Sequence, residues 1–269
     1  YTVFGRVNPY QKRALLQALQ SNGHTVGMTG DGVNDVPALR EADCSIAMVS
    51  GSDAARRVSD IVLLNNNMSA LIPGVYEGRS IINNIERVAT LFLVKTIYSS
   101  LLSFLFIFIQ HPYPVFPIQV TLVSSCTIGI PAFFLALKPN FHRIRGNFLQ
   151  KVFSKALPGG LSAVFMMVFV TYFGAFLDLN YESISTLATL ALGTVGFVVL
   201  TKVSAPLNWS RLLLIGTLIV AFIGALLVFP ELFAVKHLLS NILFLGVAVV
   251  TLAAVVTNNL LDLGSKRSD

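Results

Sequence analysis

Charge is scarce in this 269-residue chain. Asp, Glu, Lys and Arg make up 12% of it, against about 25% in an ordinary soluble domain. With 54% hydrophobic residues, that excludes a wholly water-exposed globule and places much of the chain in lipid. Cysteine is nearly absent. Cys44 and Cys126 fall in different regions with no paired spacing, which excludes a disulfide framework and reads as two free thiols. No repeat with a period of roughly 20–50 residues is visible, so solenoids are excluded, and no low-complexity tract occurs. The formal charge is +6, yet the basic residues sit in short segments between apolar runs rather than in one patch. That is a topology signal, and no nucleic-acid partner is expected. The chain opens YTVFGRV, without an initiator Met or the pattern of a secretory leader, and is expected to start within a domain.

The apolar residues are unevenly spread. Residues 1–79 carry ordinary polar and charged positions, whereas long uncharged runs begin only after Arg87. In the first region, TVFGRV at residues 2–7 predicts a strand, and Asn8-Pro9 opens a helix with Leu15, Leu16 and Leu19 at helical spacing and Gly23 as its stop. HTVGMT (His24–Thr29) predicts the next strand, which runs into GDGVND and a short helix around Val36–Glu41. CSIAM (Cys44–Met48) and DIVLL (Asp60–Leu64) predict further strands around the helix-compatible SDAARRVS. Alternation of strands and helices implies a parallel α/β sheet, in which ligands meet the loops at the carboxyl ends of the strands. GDGVND lies at that edge. Gly30 and Gly32 permit a tight turn, and Asp31 and Asp35 place two carboxylates in one loop. Clustered Asp oxygens suit a hard cation such as Mg²⁺ together with phosphate oxygens; turn and cap roles remain the alternative on these residues alone. Asp43, Asp53 and Asp60 read as caps and turn residues, and Arg13 as surface.

TGDGVNDVPAL (Thr29–Leu39) closely resembles the hinge motif of P-type ATPases, TGDGVNDAPAL, differing only at Val36. VFGRVNPYQK before it, and CSIAM, SDAARRVSDIVLL and EGRSIINNI after it, match the family's blocks in order. The resemblance implies the C-terminal half of a haloacid-dehalogenase-like phosphorylation domain, in which an aspartate takes the γ-phosphoryl of ATP. By that resemblance Asp31 is the Mg²⁺ ligand, Asp35 its supporting carboxylate and second metal-site residue, Asn34 a phosphate contact, and Lys12 the phosphate-neutralising cation; Thr29 is a possible hydroxyl donor. Phosphoryl transfer needs charge neutralisation and positioning above all, which one metal and one lysine supply. The family's DKTGT-type phosphorylation motif, its nucleotide-binding domain and its TGES-type actuator do not occur in the chain. It is therefore expected to work with the remaining N-terminal part of the same pump and to be inactive alone.

Six apolar stretches, centred on 90–110, 116–137, 156–177, 185–204, 211–230 and 238–260, each approach the roughly 20 residues that cross a bilayer. The expected architecture is α/β plus membrane all-α: a cytoplasmic portion over 1–79, a six-helix transmembrane bundle over 80–261 whose first helix extends as a stalk, and a cytoplasmic tail over 262–269. Lys138, His142, Arg143, Arg145, Lys151 and Lys155 flank one loop. Lys202 and Arg211 flank the next on that side and Lys266 and Arg267 lie in the tail, whereas Asp178, Glu182, and Glu231 with Lys236 mark the other. Positive-inside then puts both ends in the cytoplasm of a multi-pass protein of a bacterial cell membrane.

Polar residues interrupt the first two spans. Lys95, Thr96 and Ser99 in one, and Gln119, Ser124 and Thr127 in the other, are candidate transport-site residues; Gly129 and Pro131 predict a loosened helix with freed carbonyls. An intramembrane lysine is costly and reads as functional. By resemblance Ser99 stands where calcium and sodium pumps carry glutamate and Ile128 where they carry aspartate, while Lys95 matches the lysine of gastric-type proton/potassium pumps. TIGIPAFFLALKPN resembles the bacterial cation-transporting ATPase E subgroup, so the implied function is an ATP-driven ion pump with Ca²⁺ as the first choice of cation. A lipid or polyamine translocator and a membrane-tethered phosphatase of the same superfamily are the alternatives.

Overall fold

Asn8 begins the first helix through reciprocal bonds: its side chain accepts the Gln11 N–H at 2.9 Å, and the Gln11 side chain accepts the Asn8 N–H at 3.0 Å. Two donors that a helix start leaves orphaned are thereby satisfied, and Pro9 in the first turn sacrifices none. A computed structural model describes residues 3–144, 146–235 and 242–265. In it the chain divides into two units, the first ending at Glu77.

In the first unit α1 (Pro9–Ser21) ends before Gly23, whose φ of 82° is the left-handed conformation glycine takes at no steric cost. Strands β1 (Gly27–Gly30), β2 (Cys44–Met48) and β3 (Ile61–Leu63) form a parallel sheet in the order 1-2-3. Gly27 lies opposite Cys44, and Ile46 opposite Ile61. Helices α2 (Val36–Glu41) and α3 (Asp53–Val58) supply the connections that parallel neighbours require. Leu16 closes on Val26 and Ala38, and Leu39 on Ala47 and Ala55. Leu39 is only 1% exposed, a burial that contributes roughly 1.5–3 kcal/mol.

Two expectations require correction. Residues 3–7 form no strand, because among the described residues no neighbouring strand accepts their hydrogen bonds, and Arg6 turns the backbone at φ 55°. The next strand starts at Gly27 and not His24, since the Val26 amide is taken by the Asp43 carboxylate at 2.8 Å.

From Leu71 onward the helices are α4 (Leu71–Leu105), which runs through the boundary, α5 (Pro117–Ser124), α6 (Ile130–Ala136), α7 (Phe148–Phe176), α8 (Tyr181–Val203), α9 (Trp209–Val228) and α10 (Ile242–Ser265). A π-helical turn, Ser125–Gly129, joins α5 to α6. Among the described residues six helical spans are long and apolar enough to cross a membrane, with α5, the π turn and α6 counting as one. The first stops at Leu105, short of the expected 110, ahead of the His111-Pro112-Tyr113-Pro114 segment that cannot sustain a helix. The third begins at Phe148, earlier than 156, because the helix runs on through the polar turns that carry Lys151 and Lys155. Arg145, Lys236, Lys266, Arg267 and the expected start of the last span at 238 lie outside the described residues.

Within this unit small residues allow close approach. A Cβ on Gly160 of α7 would stand 2.5 Å from Cγ2 of Ile97 on α4, and one on Gly159 would stand 2.7 Å from Cγ2 of Val199 on α8. Amide side chains bind the loop after α6 to α4. Asn83 Nδ2 donates to the Asn140 and His142 carbonyls at 2.9 Å each, Asn84 Nδ2 to those of Ala136 and Lys138 at 3.1 Å each, and the Ser80 hydroxyl accepts the Asn140 N–H at 3.2 Å.

Candidate functional site

The carboxyl end of β1 delivers Thr29, Gly30 and Asp31 into the loop that leads through a 3₁₀ turn, Val33–Asp35, to α2. Asp35 is 7% exposed, and both its oxygens are engaged. Oδ1 accepts from Lys12 Nζ at 2.6 Å; Oδ2 accepts the Asp31 N–H at 3.3 Å and the Gly32 N–H at 3.2 Å. Burial alone would push this carboxyl up. The Lys12 hydrogen bond, the Gly32 amide, the Lys12 charge and the Asp31 amide together outweigh it, and hold the group below the usual carboxylate range. The carboxylate therefore stays charged and ties α1 to the loop.

Two glycines make room for this arrangement. A Cβ on Gly30 would lie 2.6 Å from Cβ of Asp35, and one on Gly51, in the loop after β2, 2.7 Å from the Asp31 carbonyl oxygen. That carbonyl accepts the Ser52 N–H at 2.7 Å. Loops from two adjacent strand ends thus brace the Asp31 backbone, while the Asp31 side chain is exposed. Of the residues singled out in the sequence, Lys12 and Asp35 are joined directly; Asp31 stands beside them, and Asn34 and Thr29 are exposed at the same edge. Asp31 precedes the helical turn, so the two carboxylates are not stacked on one helix face; Asp35 folds back onto the loop amides instead. The brace from Gly51 and Ser52 was missed. Its signal is the parallel sheet itself, which sets the loops after β1 and β2 side by side.

A divalent cation fits here in a limited sense. The Asp31 carboxylate is exposed and uncommitted among the described residues, as a hard cation prefers, whereas Asp35 would have to exchange a present partner to coordinate one. No cluster of three or more His, Cys, Asp or Glu side chains suited to a metal occurs among the described residues, so any further oxygens would come from water or phosphate.

The opposite edge of the sheet uses its carboxylates differently. Asp43 accepts from the Val26 amide at 2.8 Å, and Asp60 from the amide and hydroxyl of Ser45, at 2.8 Å each. These groups stitch strand beginnings together. Arg13, read as surface, pairs with Glu41 at 2.8 Å.

In the helical unit the second candidate set is dispersed. Lys95 is half-buried on α4, about 15 Å along the helix from its end at Leu105, and no carboxylate pairs with it among the described residues. Thr96 and Ser99 bond back to the Phe92 and Thr96 carbonyls. Gln119 is fully buried and fully used: it donates to the Phe233 carbonyl at 3.0 Å and accepts from the Phe116 N–H at 3.0 Å and the Ser185 hydroxyl at 2.8 Å. That is the geometry of a clamp. Ser124 ends α5, and Thr127 lies in the π turn with its hydroxyl on the Val123 carbonyl at 2.7 Å. The turn falls where Gly129 and Pro131 predict a loosened helix; such turns leave carbonyls short of partners and recur at functional sites. Tyr98, Thr127, Ile128 and Gly196 border a cavity of about 20 Å³, room for one water.

The haloacid dehalogenase-like hydrolase family matches residues 1–43, the segment that contains Lys12, Asp31 and Asp35. A calcium-transporting ATPase, CtpE, of Mycobacterium tuberculosis is 48% identical over 230 residues, 80% of this chain and 29% of that protein. A probable cation-transporting ATPase, exp7, of Streptococcus pneumoniae is 40% identical over 237 residues, 85% of the chain and 30% of the relative. A calcium-transporting ATPase of Bacillus subtilis is 31% identical over 255 residues, 87% and 28%. The chain thus spans less than a third of the length of these relatives. A parallel sheet with a braced Asp31 and a Lys12–Asp35 pair at its carboxyl edge, six membrane-crossing spans, and similarity that runs through both units assign this chain to the P-type ATPase family.

Proposed function

We propose that this chain is the part of an ATP-driven cation pump that completes the phosphorylation site and forms six membrane spans, with Ca²⁺ as the transported ion. The observation that carries this reading is the division of labour at the β1 edge: Asp35 is locked by Lys12 and two loop amides, which leaves the Asp31 carboxylate exposed beside them. Asp31 would hold Mg²⁺, which supplies charge neutralisation at phosphoryl oxygens when bound. Lys12 adds a fixed positive charge at the same edge, Asp35 keeps that lysine in place, and Asn34 offers a carboxamide for a phosphate oxygen. The phosphorylated aspartate and the nucleotide domain belong to the rest of the pump, so the chain by itself neither hydrolyses ATP nor forms a phosphoenzyme.

The relatives named as calcium transporters support Ca²⁺. The second span supports a route built from carbonyls and hydroxyls at the π turn, because the carboxylates of familiar calcium sites are replaced here by Ser99 and Ile128. Basic residues Lys138, His142, Arg143, Lys151 and Lys155 between the second and third spans support a cytoplasmic face there, and so cytoplasmic termini in a bacterial plasma membrane.

In the complete pump, Asp31→Asn removes one ligand charge and is expected to lower Mg²⁺-dependent phosphoenzyme formation by about two orders of magnitude or more, with membrane insertion unchanged. Acid-stable phosphorylation from ATP, titrated against Mg²⁺, measures it; an unaltered yield and Mg²⁺ dependence refute the assignment of Asp31.

A further inference from the structure

A larger cavity, about 490 Å³, lies where the middle of α4, the first turns of α7 and the last turn of α8 meet the last turns of α10. Its charged groups are Glu86 and Arg87 of α4, Lys155 of α7, Lys202 of α8 and Asp262 of α10. Both lysines are matched. Lys155 Nζ lies 2.6 Å from Glu86 Oε1, and Lys202 Nζ lies 2.6 Å from Asp262 Oδ1. Arg87 is not. Its Nη2 donates to the Ala205 carbonyl at 3.1 Å, which fixes the guanidinium, while Nη1 is buried and meets no acceptor among the described residues.

A second guanidinium aggravates the imbalance. Arg211 is 7% exposed and near enough for its charge to act on Arg87. It is held by the carbonyls of Ser204 and Pro206, at 2.8 and 2.7 Å, and its Nε is also without an acceptor among the described residues. Glu86, next to Arg87 in the chain, also acts on it by its charge, but that carboxylate is hydrogen-bonded to Lys155 and is shared between the two cations. A buried N–H without an acceptor is expensive, and a fixed guanidinium with a spare N–H matches the oxygens of a phosphate group. Lys155 and Lys202, with side chains 54% and 41% exposed, are free to turn from their carboxylates toward such a group. The four helices that wall the cavity all belong to membrane-crossing spans, and Lys202 and Asp262 stand at span ends, the level at which lipid headgroups lie.

We propose that this cavity binds a phosphate group, seated on Arg87 and flanked by Lys155 and Lys202, carried either by an anionic lipid headgroup or by soluble phosphate. The site shares no lining residue with the sheet edge or with the π turn.

The full chain in phosphatidylcholine nanodiscs doped with phosphatidic acid tests it, read by native mass spectrometry of retained lipid and by melting temperature. Wild type is expected to retain phosphatidic acid in preference to phosphatidylcholine and to melt higher. Arg87→Gln is expected to weaken retention about tenfold, the effect of one lost charge-assisted contact, Arg87→Lys less, and Arg57→Gln, in the other unit, not at all. Inorganic phosphate in undoped nanodiscs separates the sources: stabilisation by phosphate that vanishes in Arg87→Gln assigns a soluble anion, and lipid retention without it assigns the headgroup. Should Arg87→Gln not fold, a headgroup-tagged photoreactive phosphatidic acid on wild type decides, adducts at Ser154, Lys155 or Lys202 supporting the site. Equal retention of both lipids with no effect of phosphate, retention unchanged in a folded Arg87→Gln, or adducts confined to other surfaces would overturn it.

Discussion

Gly30 leaves Asp35 no room to spare. Its backbone accommodates any residue, yet an added Cβ would meet Cβ of Asp35 at 2.6 Å and Cγ at 3.0 Å. Gly30→Ala must therefore displace the carboxylate from Lys12, at an expected stability cost of about 1–3 kcal/mol and with loss of hydrogen-exchange protection at the amides of Asp31 and Gly32. Unchanged protection there would show that the loop absorbs the methyl without moving Asp35. Titration bears on the edge where the strands begin. The Ser45 amide, then its hydroxyl, hold the Asp60 carboxyl below its ordinary value, and the Val26 amide, then Gln20, do so for Asp43. A carboxyl whose folded pKa is depressed lends stability above its unfolded pKa and gives it up as the pH falls through the folded one. The sheet is thus expected to hold at mildly acid pH and to loosen below about pH 4. Intrinsic-rate-corrected exchange at Val26 and Ser45 follows this, and Asp60→Asn, which keeps an acceptor but cannot titrate, is expected to remove the acid step at Ser45. That Asp31 and Asp35 share one loop was legible in TGDGVND. That Asp35 serves Lys12 and the loop amides was not, because the partners are brought together from α1 and β1 by folding.

At the scale of elements, the broken second span is the informative one. Gly129 and Pro131 foretell trouble for a helix, but sequence does not say whether the answer is a kink, an unwound segment or one wide turn. Packing decides: Gly196 of α8 lies so close to the π turn that a Cβ there would stand 2.7 Å from Cγ2 of Thr127. Gly196→Ala is expected to force the turn and α8 apart, lowering the melting temperature in detergent by several degrees, for a cost of about 1–3 kcal/mol. In the complete pump the same change is expected to shift the cation dependence of ATP turnover while phosphorylation still occurs. A variant with native melting and native ion dependence would remove the π turn from the transport route. Gln119, a transport candidate by sequence, has its carboxamide occupied by Phe116, Ser185 and Phe233. Its polarity in an apolar run was legible; whether it met an ion or a carbonyl depended on a segment 114 residues further along the chain.

For the molecule as a whole, the distribution of basic residues is expected to set the orientation, and this can be checked without activity. With Cys44 and Cys126, both free thiols, replaced by Ser, single cysteines at His142 and Leu177 are expected to label from opposite sides of the membrane, the first from the cytoplasm. Labelling of both from one side would overturn the six-span topology. Composition and period alone divided this chain into a polar α/β part and an apolar helical part, because burial in lipid and burial in a sheet demand different residue patterns over distances a sequence displays directly. They also marked the GDGVND loop, whose glycines and carboxylates are contiguous, as a candidate site. Tertiary structure alone decided the absence of a strand at residues 3–7, the use of Asp43 and Asp60 as stitches between strand beginnings, the lock of Lys12 on Asp35, and the Arg87 Nη1 left without an acceptor among the described residues. Each of these depends on which distant group supplies or withholds a hydrogen bond or a counter-charge, and that is settled by packing rather than by neighbours along the chain.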